Sequence, residues 1–218
     1  MIVPSMNFQE LVNEIVADRP AVYIKAGYFT STLRREAIKT KKIVRKWLEY
    51  TSPRKNTWLI ESRYYHKNPT FTTTIYFNTG HGINAMLAVK GENNVLKLVH
   101  YTSHFLQRYN ERFIKAECST ISTLKHFLSN NAMAAVQPVS KESTDFHIRF
   151  NDGFGFGGGE IVGDRNNYVL VYHVKTFISD DMTFESQKKE IQSAIEIYNE
   201  HCEKQWKKKF DINKAITV

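Results

Sequence analysis

The stretch Lys97–Ala116, KLVHYTSHFLQRYNERFIKA, decides how the rest of the chain is read. Val95–Thr102 is apolar and β-branched and follows the turn-forming run Gly91-Glu92-Asn93-Asn94, which predicts a strand. Ser103 then supplies an N-cap, and His104 to Ala116 has helical spacing. On a helical wheel Phe105, Leu106, Tyr109 and Phe113 share one side, while His104, Arg108, Glu111 and Arg112 gather on the other. Histidine titrates near neutrality and arginine binds phosphate in bidentate fashion. That polar side suits metal-independent phosphodiester chemistry. It equally suits the wet face of an amphipathic surface helix.

Upstream, Asn7-Phe8-Gln9-Glu10 has the form of a capping box, and Phe8, Leu11, Val12, Ile15 and Val16 follow at helical spacing. Pro20 is expected to end that helix or begin a connection, and Ala21–Thr30 fits helix or strand. Thr32 to about Tyr50 predicts a second helix, stopped by Ser52-Pro53. Leu33, Ala37, Ile43, Val44, Trp47 and Leu48 fall on one side of it, and Arg34, Arg35, Lys41, Lys42, Arg45 and Lys46 on the other. Segment 34–46 holds seven basic residues against Glu36, and Lys204–Lys209 adds four more to a chain of net charge +8. Basicity concentrated in this way suits a polyanion footprint, a solvated helix face or a protein partner.

From Asn56 the period changes to 2. Thr57–Tyr65, Thr70–Asn78, Ile83–Lys90 and Val95–Thr102 read as successive strands joined by short turns, hence as antiparallel hairpins. Downstream of the central helix, Ser119–Asn130 reads as a helix and Ala132–Val139 as a strand. Phe146–Phe150, Glu160–Val162 and Tyr168–Ile178 read as three more strands. A last helix from about Thr183 to Phe210 carries a narrow seam of Phe184, Ile191, Ile195, Tyr198, Cys202 and Trp206. A seam of that kind serves internal packing, a homodimer or a partner helix.

These elements predict one α+β domain over residues 1–218. A curved antiparallel sheet is flanked by N-terminal, central and C-terminal helices, with 7–50 as a helical extension. A hydrophobic content of 42% is ample for a core. No run is long enough to span a membrane, and the opening MIVPSM is too short and uncharged for a signal peptide. Cys118 and Cys202 lie far apart outside any CxxC, which suits reduced thiols and a cytoplasmic protein.

No cofactor or metal is expected. Gly153–Gly158 formally fits G-x-G-x-x-G, but Gly159-Glu160-Ile161-Val162 follows where a dinucleotide site needs a helix. The run reads instead as a bulged strand or as backbone brought close to a ligand. His100 and His104 are four apart but sit on different elements, and no Cys, Asp or Glu completes a tetrahedral set by spacing.

A strand, a serine and a helix with the pattern H-x-x-x-R-x-x-x-R (HFLQRYNER) resemble the RelE-like nucleases of the barnase–EndoU–colicin–RelE superfamily, including toxin families whose helix reads HALERxxER. The late strand His173–Ser179, HVKTFIS, with its Lys-Thr pair, extends the resemblance. The resemblance implies a metal-independent endoribonuclease, toxin-like and so paired with an inhibitor protein. His104 would act as acid or base, Arg108 and Arg112 would bind the scissile phosphate, and Thr176 would donate a hydrogen bond. By strand alternation His173 and Lys175 should point away from Thr176. The alternative is a non-catalytic module that binds nucleic acid or a protein through the basic 34–46 helix face.

Overall fold

The computed structural model describes residues 1–65, 68–90, 95–132, 134–140, 142–164 and 167–182, with isolated positions between 192 and 200. The helix expected from Thr183, with most of its seam, and the turn expected at 91–94 lie outside the described residues, as does Lys204–Lys209.

Helix α1 spans Phe8–Thr32. Its capping box is made in both directions: the Glu10 amide donates to Asn7 Oδ1, and the Asn7 amide donates to Glu10 Oε2, each at 2.9 Å. Pro20 does not end it. An interior proline removes one hydrogen bond and costs roughly 3 kcal/mol. The buried stripe nevertheless continues through it, from Leu11, Ile15 and Asp18 to Val22, Ala26 and Thr30, so tertiary burial overrides the local break.

The helix expected over 32–50 does not form. Instead α2 covers only Arg34–Thr40, Lys41 takes a left-handed conformation (φ 52°), and strand β1 runs Val44–Thr51. Strand β2, Thr57–Tyr65, pairs with β1 over its whole length, from Val44↔Tyr64 to Thr51↔Thr57. Val44, Trp47, Tyr50 and Thr51 are the β-branched and aromatic residues that fit such a ladder. Helix propensity over the intervening lysines and arginines is too weak a preference to resist it.

The remaining strands are β3 Asn68–Asn78, β4 Ile83–Lys90, β5 Leu96–Tyr101, β6 Ala135–Pro138, β7 Asp145–Phe150, β8 Gly153–Asp164 and β9 Asn167–Ser179. Helices α3, Ser103–Tyr109, and α4, Thr120–Asn130, separate β5 from β6. The hydrogen-bonded strand order is β1-β2-β3-β4-β5-β9-β8-β7-β6. The protein is therefore α+β with a nine-stranded sheet. β1 to β5 pair antiparallel in succession, as do β6 to β8.

The chain divides into two compact units. One is Met1–Ser103 with Gly159–His173, and the other is His104–Gly158 with the chain from Val174. In the first, strand register aligns Trp58, Ile75, Met86 and His100 in one row and Ile60, Thr73, Ala88 and Leu98 in the next. Leu11, Val12, Ile15, Val22 and Ala26 of α1 pack into the same core as Trp58, Ile60, Ile75, Met86 and Leu98. In the second, Phe105, Tyr109, Phe127, Phe150 and Phe177 are fully buried and meet edge to face, with centroids 5.0–6.0 Å apart.

Candidate functional site

The motif helix begins where Asn84 Oδ1 accepts the Ser103 amide at 2.7 Å, satisfying one of the donors a helix start leaves open. α3 then gives way to a π-helical turn, Asn110–Ile114, closed by the Lys115 amide on the Asn110 carbonyl at 2.7 Å. A plain α-helix to Ala116 was expected, and the wider turn changes the outcome for its last residues. Phe113 comes out partly exposed and stacks on the Tyr109 ring at 5.3 Å. Arg112 is half-buried and its guanidinium donates to the Phe177 carbonyl of β9. Phe105 and Tyr109 meet the Phe177 ring edge to face. The two stretches that carry the nuclease resemblance thus touch, through Arg112 and through three aromatic rings.

On the polar side His104 is exposed in the first turn. Arg108 Nη1 lies 2.8 Å from Glu111 Oε2, and Gln107 Nε2 donates to Glu111 Oε1 at 2.7 Å. Hydrogen bonding from Gln107, with the positive charges of Arg108 and Arg112, holds the Glu111 carboxyl below its ordinary value. Glu111 therefore serves Gln107 and Arg108.

A network beneath the helix was not legible in the sequence. Tyr109 Oη donates to Asp152 Oδ2 at 2.6 Å and meets His126 Nδ1 at 3.0 Å, while Asn131 Nδ2 donates to Asp152 Oδ2 at 2.8 Å. Burial first, and the adjacent Asp152 carboxylate second, push the Tyr109 phenol well above its usual value. Tyr109 is consequently a fixed donor. The residues involved are scattered over 109–152, so no spacing announces them.

The Lys-Thr pair of β9 departs from strict alternation. A Cβ at Gly153 would meet the Phe177 ring, and one at Gly155 would lie 2.7 Å from Val174 Cγ1 and 2.8 Å from the Phe150 ring. Val174 and Phe177, three apart in the strand, are both fully buried. The two residues between them both line a cleft of about 370 Å³, together with Val139, Asp145, Phe146, His147, Phe156 and Gly157. Lys175 is exposed there and Thr176 half-buried. The glycine run has two uses. Gly153 and Gly155 make room for aromatic packing, and Gly157 lines the cleft. His104, Arg108 and Arg112 belong to the helix and are not part of that lining.

His173, four residues before Phe177, is engaged elsewhere. Its Nδ1 lies 2.9 Å from His100 Nδ1, and its Nε2 lies 3.2 Å from Glu160 Oε1. Burial first, and His173 second, push His100 down to about 3, so His100 is neutral at physiological pH.

The basic segment loses its expected single face with the loss of the helix. Arg34, Arg35, Lys41 and Lys42 are exposed, but they are divided between α2 and the connection to β1. Lys46 Nζ pairs with Glu36 Oε2 at 2.6 Å. Arg45 Nε lies 2.5 Å from Oε1 of Glu61, a carboxylate only 1% exposed that also binds Arg63 Nη2 at 2.7 Å. Arg45 neutralises a buried charge, a structural task.

Among the described residues, no three His, Cys, Asp or Glu side chains come together to hold a metal ion. No described helix is long and apolar enough to cross a membrane. No family model, curated protein or solved structure matches the chain.

Proposed function

We propose that the chain is a metal-independent endoribonuclease of a cytoplasmic, toxin-like kind, with RNA as its substrate. The observation that carries the reading is the seating of the motif helix on β9, where Arg112 bonds the Phe177 carbonyl beside Thr176. In this reading His104, exposed at the start of α3, removes the proton from a ribose 2′-hydroxyl. The 2′-oxygen attacks the adjacent phosphorus, the P–O5′ bond breaks, the 5′-oxygen takes a proton from water, and a 2′,3′-cyclic phosphate remains. Arg108, and the guanidinium donors of Arg112 not used on Phe177, stabilise the charge of the phosphorane, and Thr176 donates a further hydrogen bond.

The test is cleavage of a labelled mixed-sequence RNA in EDTA. Wild type is expected to cut, His104→Ala to be slower by at least about 100-fold, as for loss of a general acid–base group, and Arg108→Ala to be comparably impaired. RNA left intact by wild type, or cut equally by both variants, removes the assignment. A toxin-like nuclease should also slow growth of its expression host, and His104→Ala should relieve that.

A non-catalytic nucleic-acid-binding role keeps one observation in its favour: Arg34, Arg35, Lys41 and Lys42 remain exposed. It predicts salt-dependent binding that survives His104→Ala and weakens when these four are neutralised.

A further inference from the structure

The cleft on β7–β9 holds Asp145, His147, Phe156 and Lys175, which the nuclease chemistry above leaves unused, together with Thr176, which it shares. Phe156 and His147 are cross-strand partners on β8 and β7, and their rings meet at 5.0 Å and 71°. Both are half-buried, so they form an apolar aromatic corner that still reaches solvent. Lys175 and Thr176 of β9 line the same cleft. A Cβ at Gly158 would lie 3.3 Å from Asp145 Oδ1 and 4.0 Å from Lys175 Nζ, so these two opposite charges approach the same stretch of bare backbone. A volume of about 370 Å³ is at the lower end of the range for small-ligand clefts.

An aromatic corner, a cation with a hydroxyl, and a separate carboxylate match the three parts of a ribonucleotide. A base stacks on an aromatic ring whatever its identity, Lys and Thr bind a phosphate, and a carboxylate accepts from ribose hydroxyls. An apolar ligand would use neither Lys175 nor Asp145, and a bare phosphate would not use the rings. We propose that this cleft is a ribonucleotide-binding subsite. The base lies against Phe156 and His147, the phosphate on Lys175 and Thr176, and the ribose hydroxyls toward Asp145. As a subsite for the strand that His104 cuts, it rests on the endoribonuclease reading; as a nucleotide site it stands without it.

The experiment measures binding separately from cleavage. Fluorescein-labelled hexauridylate is titrated by anisotropy into full-length His104→Ala protein, with probe integrity checked on a gel. Phe156→Leu is expected to weaken binding by about tenfold through the lost stack. Lys175→Ala should weaken it and lower the salt slope of log Kd by roughly 0.7, the share of one phosphate contact on a single strand. Thr176→Val, nearly isosteric, provides a variant whose fold is least disturbed, and should weaken binding severalfold. Thermal unfolding of each variant shows that it is folded.

If all three bind the hexamer as tightly as the parent, or the parent binds none, the cleft is not a nucleotide site. Competition by uridine monophosphate assigns the cleft to free nucleotides, and competition by unlabelled hexamer alone assigns it to a strand. Cleavage tests the other reading: wild type that binds through the cleft and cuts no RNA sinks the nuclease assignment while leaving the subsite. Cutting with cleft-independent binding does the reverse.

Discussion

Among the described residues the first unit buries three bonded carboxylates, Glu14, Asp18 and Glu61, where the second buries one, Asp152. Asp18, 1% exposed, accepts from Ser52 Oγ at 2.6 Å, Asn56 Nδ2 at 2.9 Å and Trp58 Nε1 at 2.8 Å, all through one carboxylate oxygen. Glu14 is held by Arg54 and Asn56, and Glu61 by Arg45 and Arg63. In the second unit His104, Arg108, His147, Lys175 and Thr176 are exposed or half-buried, on a helix and a strand fixed by aromatic packing. Buried charges must be partnered where they sit, so they specify a fold. Partly exposed groups on a rigid support are available to a ligand. The difference directs attention to the second unit for chemistry and to the first for stability.

The sharpest way to break that comparison is to show that a first-unit carboxylate carries activity. Asp18→Ala strands three buried donors and is expected to cost roughly 3–5 kcal/mol in urea unfolding. RNA cleavage per folded molecule should be unchanged, and a selective loss of cleavage would undo the division. Somewhat smaller is Gly155→Ala in the second unit, where the added methyl meets Val174 and Phe150 inside normal contact distance. Overpacking of this kind costs about 1–3 kcal/mol. An unchanged unfolding midpoint would mean that the strands yield more easily than the packing implies.

Acid sharpens the comparison further, because the titrating groups with large downward shifts lie in the first unit. Hydrogen bonding from Arg54 holds the Glu14 carboxyl down at about 2 from an ordinary 4.5. Its contribution is present above pH 4.5 and is lost as pH falls toward 2. His100, lowered by burial to about 3 from 6.5, acts in the same direction for a different reason. The unfolded chain takes up its proton below pH 6.5 and the folded one does not, so stability falls from 6.5 downward and levels off near 3. Stability measured against pH should show both limbs, with Glu14→Gln flattening the lower and His100→Gln the upper. Retention of both limbs in the variants would place the acid sensitivity elsewhere.

Much of the fold was open to reading before any coordinates. The strands near 57–65, 70–78, 83–90 and 95–102 stand within a residue or two of β2 to β5, since strict alternation bounded by Gly, Pro and Asn turns has few competing explanations. The Asn7–Glu10 capping box and helix α4 were equally local. Segment 32–50 misled because its apolar residues satisfy a helical wheel while also alternating well enough for a strand, and pairing with β2 settled the choice. Pro20 misled in the other direction, toward a break that a continuous buried stripe overrides.

The sequence by itself determined the α+β class, the period of the strands between 57 and 102 and the chemical kinds gathered on the motif helix, because these depend on near neighbours. Tertiary structure alone decided that Arg112 grips β9, that Lys175 joins Thr176 in one cleft, and that Arg45 serves a buried carboxylate. Those outcomes depend on strand register and packing, which arise from pairing between segments far apart in the chain.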